Sequence, residues 1–117
     1  AARCHQALDV FVVPRKDLQV TRSVTPLKPV EALACARPVV ASRLPALAEI
    51  VEDGVSGCLV EAGDVPGLAA ALESLLADSS KSIRMGRAGR IDMLATRTWA
   101  ANARALGAAY SELLSEK

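Results

Sequence analysis

The stretch at residues 7–14, ALDVFVVP, contains an apolar run that does not alternate with polar residues and that ends at a proline. An apolar run without alternation is typical of a strand that is buried on both faces, as strands are in a parallel sheet. Parallel strands are joined by crossover connections, which are usually helices. This one stretch therefore favours an α/β fold and predicts that helices and further strands follow it.

The rest of the chain alternates between segments predicted to be helices and segments predicted to be strands. Residues 15–24 are polar and basic and are expected to form a loop, residues 25–36 a helix and residues 37–42 a strand. A short helix from near Pro45, a third strand over residues 58–60 and a helix over residues 63–79 capped by Asp64 come next. The order predicts right-handed crossovers and a parallel, Rossmann-like sheet. Doubly wound nucleotide folds have about six strands, so three strands suggest a domain truncated at its N-terminal side.

Two more helices are expected, over about residues 81–95 and 98–115. In the last of them apolar side chains recur at steps of four and three, which predicts a helix with one face packed in a core. This stripe consists of Trp99, Ala103, Leu106, Tyr110 and Leu113.

Composition excludes several classes of function. The net charge is +1 with both signs interspersed, so no nucleic-acid partner is expected. No apolar run approaches the roughly 18 residues of a membrane span. Three separated cysteines, Cys4, Cys35 and Cys58, with one histidine and no CxxC pair argue against a disulfide framework or a metal site. Each cysteine is expected to be a small buried residue in a reducing compartment, which suggests a cytoplasmic location.

Ligands of open parallel sheets bind beyond the carboxyl ends of the strands, here residues 14–25 and 42–44. The predicted helix, with Thr25 as its N-cap and Pro26 at its first position, would direct amide groups and partial positive charge at an anion such as a diphosphate. Glu31, about one turn deeper, is able to accept hydrogen bonds from a diol such as a ribose. An ordinary solvated helix glutamate remains the alternative for Glu31.

Five segments together resemble the C-terminal domain of retaining glycosyltransferases with the GT-B fold, the large family that includes sucrose synthase-like enzymes and mannosyltransferases. They are DVFVVP, VEALACARPVVAS, EIVEDGVSGCLVEAGD, LAAALESLLAD and RMGRAGR. They occur in the family's order, and the resemblance extends over nearly the whole chain. The resemblance implies transfer of a sugar from a nucleoside diphosphate sugar to an acceptor, with retention and without a metal. It further implies one partial nucleotide-sugar-binding domain over residues 1–117, with residues 98–115 crossing back to an N-terminal domain.

The same resemblance assigns candidate donor-binding residues. The family carries a Glu-x7-Glu pair whose second member contacts the donor ribose, and Glu31 takes that place. Ser23 replaces the first glutamate, and SVTPLKP replaces the family's Gly-Phe-Gly loop. The complete candidate set is Ser23, Val24, Thr25, Pro26, Leu27, Lys28 and Glu31, with no catalytic residue and no metal ligand in this chain.

Other interpretations stay open at this point. The loss of the first glutamate and of the glycine loop favours a non-catalytic Rossmann-like nucleotide-binding or interaction module, and a purely structural remnant is a third possibility. Lys81, Arg84, Arg87 and Arg90 recur every three residues, which is typical of a solvated helix face. The more specific interpretation is that these basic residues make peripheral contact with the inner, anionic surface of a membrane. The sequence does not identify the acceptor, which the resemblance places among sugars, lipids or small molecules.

Overall fold

The computed structural model describes residues 2–115, which form an α/β fold. Its sheet has three parallel strands in the order β1-β2-β3, and they span Phe11–Val13, Val39–Ser42 and Gly57–Val60. Phe11 lies opposite Val39 in the register, and Val39 lies opposite Gly57. All three predicted strands are therefore present, and their parallel arrangement brings their carboxyl ends to one edge of the sheet.

Seven helices surround this sheet within residues 2–115. They are α1 (Ala2–Gln6), α2 (Gln19–Ser23), α3 (Lys28–Ala34), α4 (Pro45–Ala48), α5 (Val65–Ala77), α6 (Ser79–Thr96) and α7 (Trp99–Ser115). Two of the three long helices after the sheet, α5 and α6, begin with aspartate caps, as expected from the preference of aspartate for this position. Asp64 accepts a hydrogen bond from the amide of Gly67 at 3.0 Å, and Asp78 accepts one from the amide of Lys81 at 3.1 Å.

The core consists of two layers separated by the sheet. On one face, α3, α4 and α6 pack on Val39 and Ala41 through buried residues such as Leu33 and Leu47. On the other face, α5 packs on Val40 through Leu75. Successive residues of β2 thus point to opposite sides and are all buried, which is the pattern of a strand covered on both faces.

Helix α6 approaches the end of α3 closely because two of its residues are glycines. A Cβ atom on Gly86 would lie 2.1 Å from the Ala36 carbonyl oxygen, and one on Gly89 would lie 2.6 Å from Leu33 Cδ2. Ala36 itself follows α3 with a φ of 60°, in the left-handed region where helices commonly end but where glycine is the usual residue. The chain leaves α3 through this turn before entering β2.

The structure differs from the sequence expectation at the segment between β1 and β2. A short helix, α2, occupies part of the predicted loop, and α3 begins at Lys28 instead of just after Thr25. Leu27 takes the N-cap position, and the first turn of α3 contains Pro29 and not Pro26. Pro29 fits at the second helical position because the amides of the first turn have no intrahelical acceptor.

The apolar stripe of α7 is exposed, so the prediction that it packs in a core is wrong for the described residues 2–115. No residue of α7 is buried, and Trp99 is 90% exposed. Helical spacing also predicts an apolar stripe for α3 (Leu27, Val30, Leu33 and Ala34) and one for α5 (Leu68, Leu72, Leu75 and Leu76). Leu27 and Leu76 nevertheless are 75% and 63% exposed. Cys4 is exposed too, whereas Cys35 and Cys58 are partly buried. Periodicity identifies an apolar face but does not specify what covers it.

No helix within residues 2–115 combines the length and the hydropathy needed to cross a bilayer. The crossing role expected for residues 98–115 stays a prediction.

Candidate functional site

The loops after β1 and β2 meet at the carboxyl edge of the sheet, where the strand ends predicted them. The side chain of Ser42, at the end of β2, is buried. Its hydroxyl accepts a hydrogen bond from the amide of Arg15 at 2.7 Å and donates one to the carbonyl of Arg15 at 3.1 Å. One hydroxyl thereby fixes the course of the chain just after β1.

A cavity of about 360 Å³ opens beside this contact, on the α5 side of the sheet. Its lining combines apolar residues from the strand ends with charged residues of both signs: Pro14, Arg15, Lys16, Asp17, Ser42, Val60, Glu61, Ala62, Gly63, Asp64, Val65 and Leu68. The sequence predicted a site at the ends of the first two strands but not the third wall of this cavity, residues 61–64. The Gly-Asp pair after the third strand was the available signal.

The seven residues predicted for donor binding lie along one continuous segment, from the end of α2 to the first turns of α3. Ser23 is the last residue of α2, and Val24 caps that helix through its own backbone. Thr25 and Pro26 lie between the helices, and Leu27 is the N-cap of α3. The prediction that Thr25 caps α3 is therefore wrong. None of the seven lines the 360 Å³ cavity, so the segment forms a separate part of the same edge.

Ser23 in this segment and its neighbour Arg22 are both engaged in local contacts. The hydroxyl of Ser23 donates to the carbonyl of Gln19, four residues earlier in α2, at 3.0 Å. Nη1 of Arg22 lies 2.9 Å from the carboxylate of Asp17, so its positive charge is partly balanced. Lys28 is the first residue of α3, and the next basic residues in sequence, apart from Arg22, are Lys16 before the segment and Arg37 after it.

Glu31 is held in place by its own helix. Its amide donates to the carbonyl of Leu27 at 3.1 Å, and its side chain is exposed. The next two residues, Ala32 and Leu33, are fully buried against the sheet. The rigid packing of α3 therefore presents the Glu31 carboxylate on the outer side of the helix, one turn from its N-terminus.

A charged network ties β2 to the start and the end of β3. Arg43, just after β2, contacts Asp53 at 2.9 Å and Glu61 at 3.1 Å. Asp53 also accepts a hydrogen bond from the amide of Leu59 at 3.0 Å. The Leu59 amide and the Arg43 guanidinium hold the pKa of the Asp53 carboxyl below its ordinary value. The network fixes the loop that carries Glu61 to the cavity wall.

The lowered pKa of Asp53 predicts a pH-dependent contribution to stability. A carboxyl whose pKa is lower in the folded state stabilises the fold above its unfolded pKa, about 4, and loses this contribution as pH falls through the folded pKa. We expect Asp53→Asn to lower the free energy of unfolding at pH 7 by about 1 kcal/mol at most, because the pair is half exposed. Urea denaturation at pH 7 and pH 3 measures this, and the gap between variant and wild type should narrow at pH 3. A gap that stays equal would contradict the assignment.

The parallel sheet, the helices on both of its faces and the polar carboxyl edge define an α/β domain with the architecture of the C-terminal domain of GT-B enzymes. The family model described as "Glycosyl transferases group 1" matches residues 1–78, which is more than half of the chain. The chain belongs to this glycosyltransferase family.

Individual proteins agree with this assignment. The chain is 39% identical over 113 residues to a GDP-mannose-dependent alpha-(1-6)-phosphatidylinositol monomannoside mannosyltransferase of Mycolicibacterium smegmatis, covering 95% of the chain and 28% of the relative. Sucrose-phosphate synthase from Thermosynechococcus elongatus superposes with a TM-score of 0.82 at 31% identity, over 97% of the chain and 27% of that structure.

A third match gives the position of the chain within such enzymes. The C-terminal domain of a glycosyl transferase group 1 protein from Francisella tularensis has a TM-score of 0.67 at 28% identity, over 80% of the chain and 45% of that structure. The chain spans 28% of the length of the mannosyltransferase. The activity of a whole enzyme is therefore a proposal for this chain.

Proposed function

We propose that the chain supplies part of the donor site of a retaining glycosyltransferase that uses a nucleoside diphosphate sugar and no metal cofactor. The observation that carries the proposal is the family match over residues 1–78, which includes the candidate segment and Glu31. The GDP-mannose dependence named for the Mycolicibacterium relative, at 39% identity, supports a nucleotide-sugar donor.

In this proposal each part of the segment has a separate task. The Glu31 carboxylate accepts hydrogen bonds from the two ribose hydroxyls, which a carboxylate does well with its two oxygens. Pro26 has no N–H and the Val24 N–H donates to the Val20 carbonyl, so the backbone amides of Thr25 and Leu27 and the Lys28 ammonium face the diphosphate. Their positive charge stabilises the leaving diphosphate as negative charge develops on it, which is an electrostatic contribution to catalysis.

The remaining parts of the enzyme are assigned to a partner region. An N-terminal domain would bind the acceptor, and residues 98–115 would pack on it. The acceptor named for the Mycolicibacterium relative is a phosphatidylinositol monomannoside, so a lipid-linked acceptor is one option beside a sugar or a small molecule. We propose a cytoplasmic location, and we expect the 117 residues alone to bind a nucleotide without turning over a donor.

Replacing Glu31 by glutamine tests the role of the carboxylate. We expect GDP or UDP to shift amide resonances of residues 23–31 in the wild-type chain, and Glu31→Gln to weaken that binding about tenfold or more, since a hydrogen bond to a charged group is worth about 1.5–3 kcal/mol. The measurement is a nucleotide titration followed by NMR. Glu112→Gln, on the exposed surface of α7, is the matched control and should bind like the wild type.

Two outcomes would contradict the proposal. Equal nucleotide affinity in Glu31→Gln and Glu112→Gln would remove Glu31 from the site. A well-dispersed spectrum that no nucleotide shifts would favour an interaction module instead.

A non-catalytic nucleotide-binding or interaction module is the second candidate. The observation that favours it is Ser23, whose hydroxyl binds the Gln19 carbonyl where the family carries its first glutamate. This candidate predicts nucleotide binding without sugar transfer even when the N-terminal part of a relative is supplied in trans. Sugar transfer in that reconstitution, measured by release of nucleoside diphosphate, would exclude it.

A further inference from the structure

Helix α6 has a second face that the core does not use. Its buried side consists of Met85, Gly86, Gly89 and Met93. Five exposed residues at helical spacing form the opposite side, which we call the α6 outer face: Ile83, Arg84, Arg87, Ile91 and Leu94. Its three aliphatic side chains are 53%, 70% and 51% exposed, respectively. Helix α6 therefore has one apolar face that packs in the core and a second, exposed face that combines large aliphatic residues with arginines.

The charge of the chain is concentrated on this helix. Helix α6 carries four basic residues and one acidic residue, a net charge of 4 − 1 = +3. The whole chain has a net charge of +1, so the remaining residues carry 1 − 3 = −2. The positive charge is therefore concentrated on α6, and an anionic surface would be attracted to this helix more strongly than to the rest of the chain.

Two of the four basic side chains serve the fold, and two do not. Arg90 donates to the carbonyl of Ala34 at the end of α3, and the Lys81 ammonium donates to the Ser74 hydroxyl at 2.8 Å. Arg84 and Arg87 lie on the outer face, along a shallow depression whose other lining residues are Ser80, Ile83, Ala88 and Ile91. No acidic residue of the described chain lines this depression.

We propose that the α6 outer face docks the protein on an anionic lipid bilayer. Arginine side chains attract anionic head groups, and aliphatic side chains on the same face enter the boundary between head groups and acyl chains. The face offers both groups side by side: Arg84 and Arg87 lie between Ile83 at one end and Ile91 and Leu94 at the other. An acidic protein would satisfy the arginines but would need its own apolar surface for the aliphatic residues, whereas a bilayer supplies both.

The proposed docking face is separate from the candidate donor site. Helix α6 shares no residue with the segment at residues 23–31 or with the cavity at the carboxyl edge. Failure of nucleotide binding and failure of membrane docking are therefore distinguishable in the same protein.

Vesicle flotation tests the proposal. The 117-residue chain is mixed with vesicles of pure phosphatidylcholine or of phosphatidylcholine and phosphatidylglycerol at about 2:1, the second of which carry a negative surface potential. We expect binding to the anionic vesicles and a decrease as salt is raised. The double variant Arg84→Glu, Arg87→Glu should lower the partition coefficient by at least about 25-fold, because each basic residue near the surface is worth about fivefold.

Matched variants separate α6 from the rest of the surface. Arg3→Glu with Arg104→Glu makes the same change in charge at exposed sites outside α6 and should reduce binding far less. Ile83→Ser with Ile91→Ser should weaken binding while leaving the far-UV circular dichroism unchanged, since both side chains are exposed. Leu106→Ser with Tyr110→Ser, on the exposed stripe of α7, should bind like the wild type.

Three results would overturn the proposal. The first is equal binding to both kinds of vesicle. The second is loss of binding in the α7 variant but not in the α6 variants. The third is binding of soluble polyglutamate as tightly as anionic vesicles, which would indicate an acidic protein as the partner.

Discussion

Replacing Gly86 by alanine is expected to destabilise the chain by about 3 kcal/mol or more, although alanine is the better helix former. The new methyl group would lie 2.1 Å from the carbonyl oxygen and 2.8 Å from the carbonyl carbon of Ala36. These are backbone atoms in the turn between α3 and β2, and they are fixed by the amide of Ala36, which donates to the Leu33 carbonyl at 2.9 Å. The turn therefore cannot yield, and α6 must move away from α3.

Gly107→Ala is the matched control for this variant. Gly107 lies inside α7, and a Cβ atom there would meet nothing within 4 Å. Alanine should therefore stabilise the chain by about 0.5–1 kcal/mol, through the lower backbone entropy of its unfolded state. Urea denaturation of both variants measures the two effects, and their opposite signs are the essential result. Equal effects would show that α6 does not pack on α3 at this distance.

Replacing Leu75 by alanine is the second change with a large expected effect. Leu75 is 1% exposed and packs with Val40 and Met85 on the α5 side of the sheet. Removing its buried methyl groups and leaving a cavity should cost about 2–5 kcal/mol of unfolding free energy. Chemical denaturation gives the value, and loss of a cooperative transition would place the cost at or above the total stability of the chain.

Leu76 provides a neighbouring control with the same side chain on the same helix. It is 63% exposed, so Leu76→Ala should change the free energy of unfolding by no more than about 0.5 kcal/mol. Similar losses in the two variants would mean that α5 does not present Leu75 to the sheet.

The comparison of these two leucines shows where sequence reasoning is limited. Both belong to the apolar stripe that periodicity predicts for α5, yet only Leu75 contacts the sheet. The apolar stripe of α7 is a clearer example of the same difference, because the described part of the chain, residues 2–115, buries none of its side chains. Helical spacing reports which side chains share a face, and burial depends on a second element that the spacing does not describe.

The candidate segment shows a similar division. The sequence predicted its position after β1 and the helix that carries Glu31. It did not predict α2, the start of α3 at Lys28, or the engagement of Ser23 and Arg22 with Gln19 and Asp17. Those contacts are a hydrogen bond between residues four apart and an ion pair between residues five apart in sequence. Many other local arrangements would satisfy the same polar side chains equally well.

The α/β class, the three parallel strands and the family all follow from the amino-acid sequence alone. Unbroken apolar runs and aspartate caps are local signals, and each of them indicates the conformation of its own segment. The order of the motifs along the chain indicates the family. Three features emerge only once the chain has folded: which leucines are buried, how closely α6 approaches α3, and how Ser42 binds the chain after β1. These features depend on distances between residues that lie tens of positions apart, and a chain closes such distances only when its elements pack together.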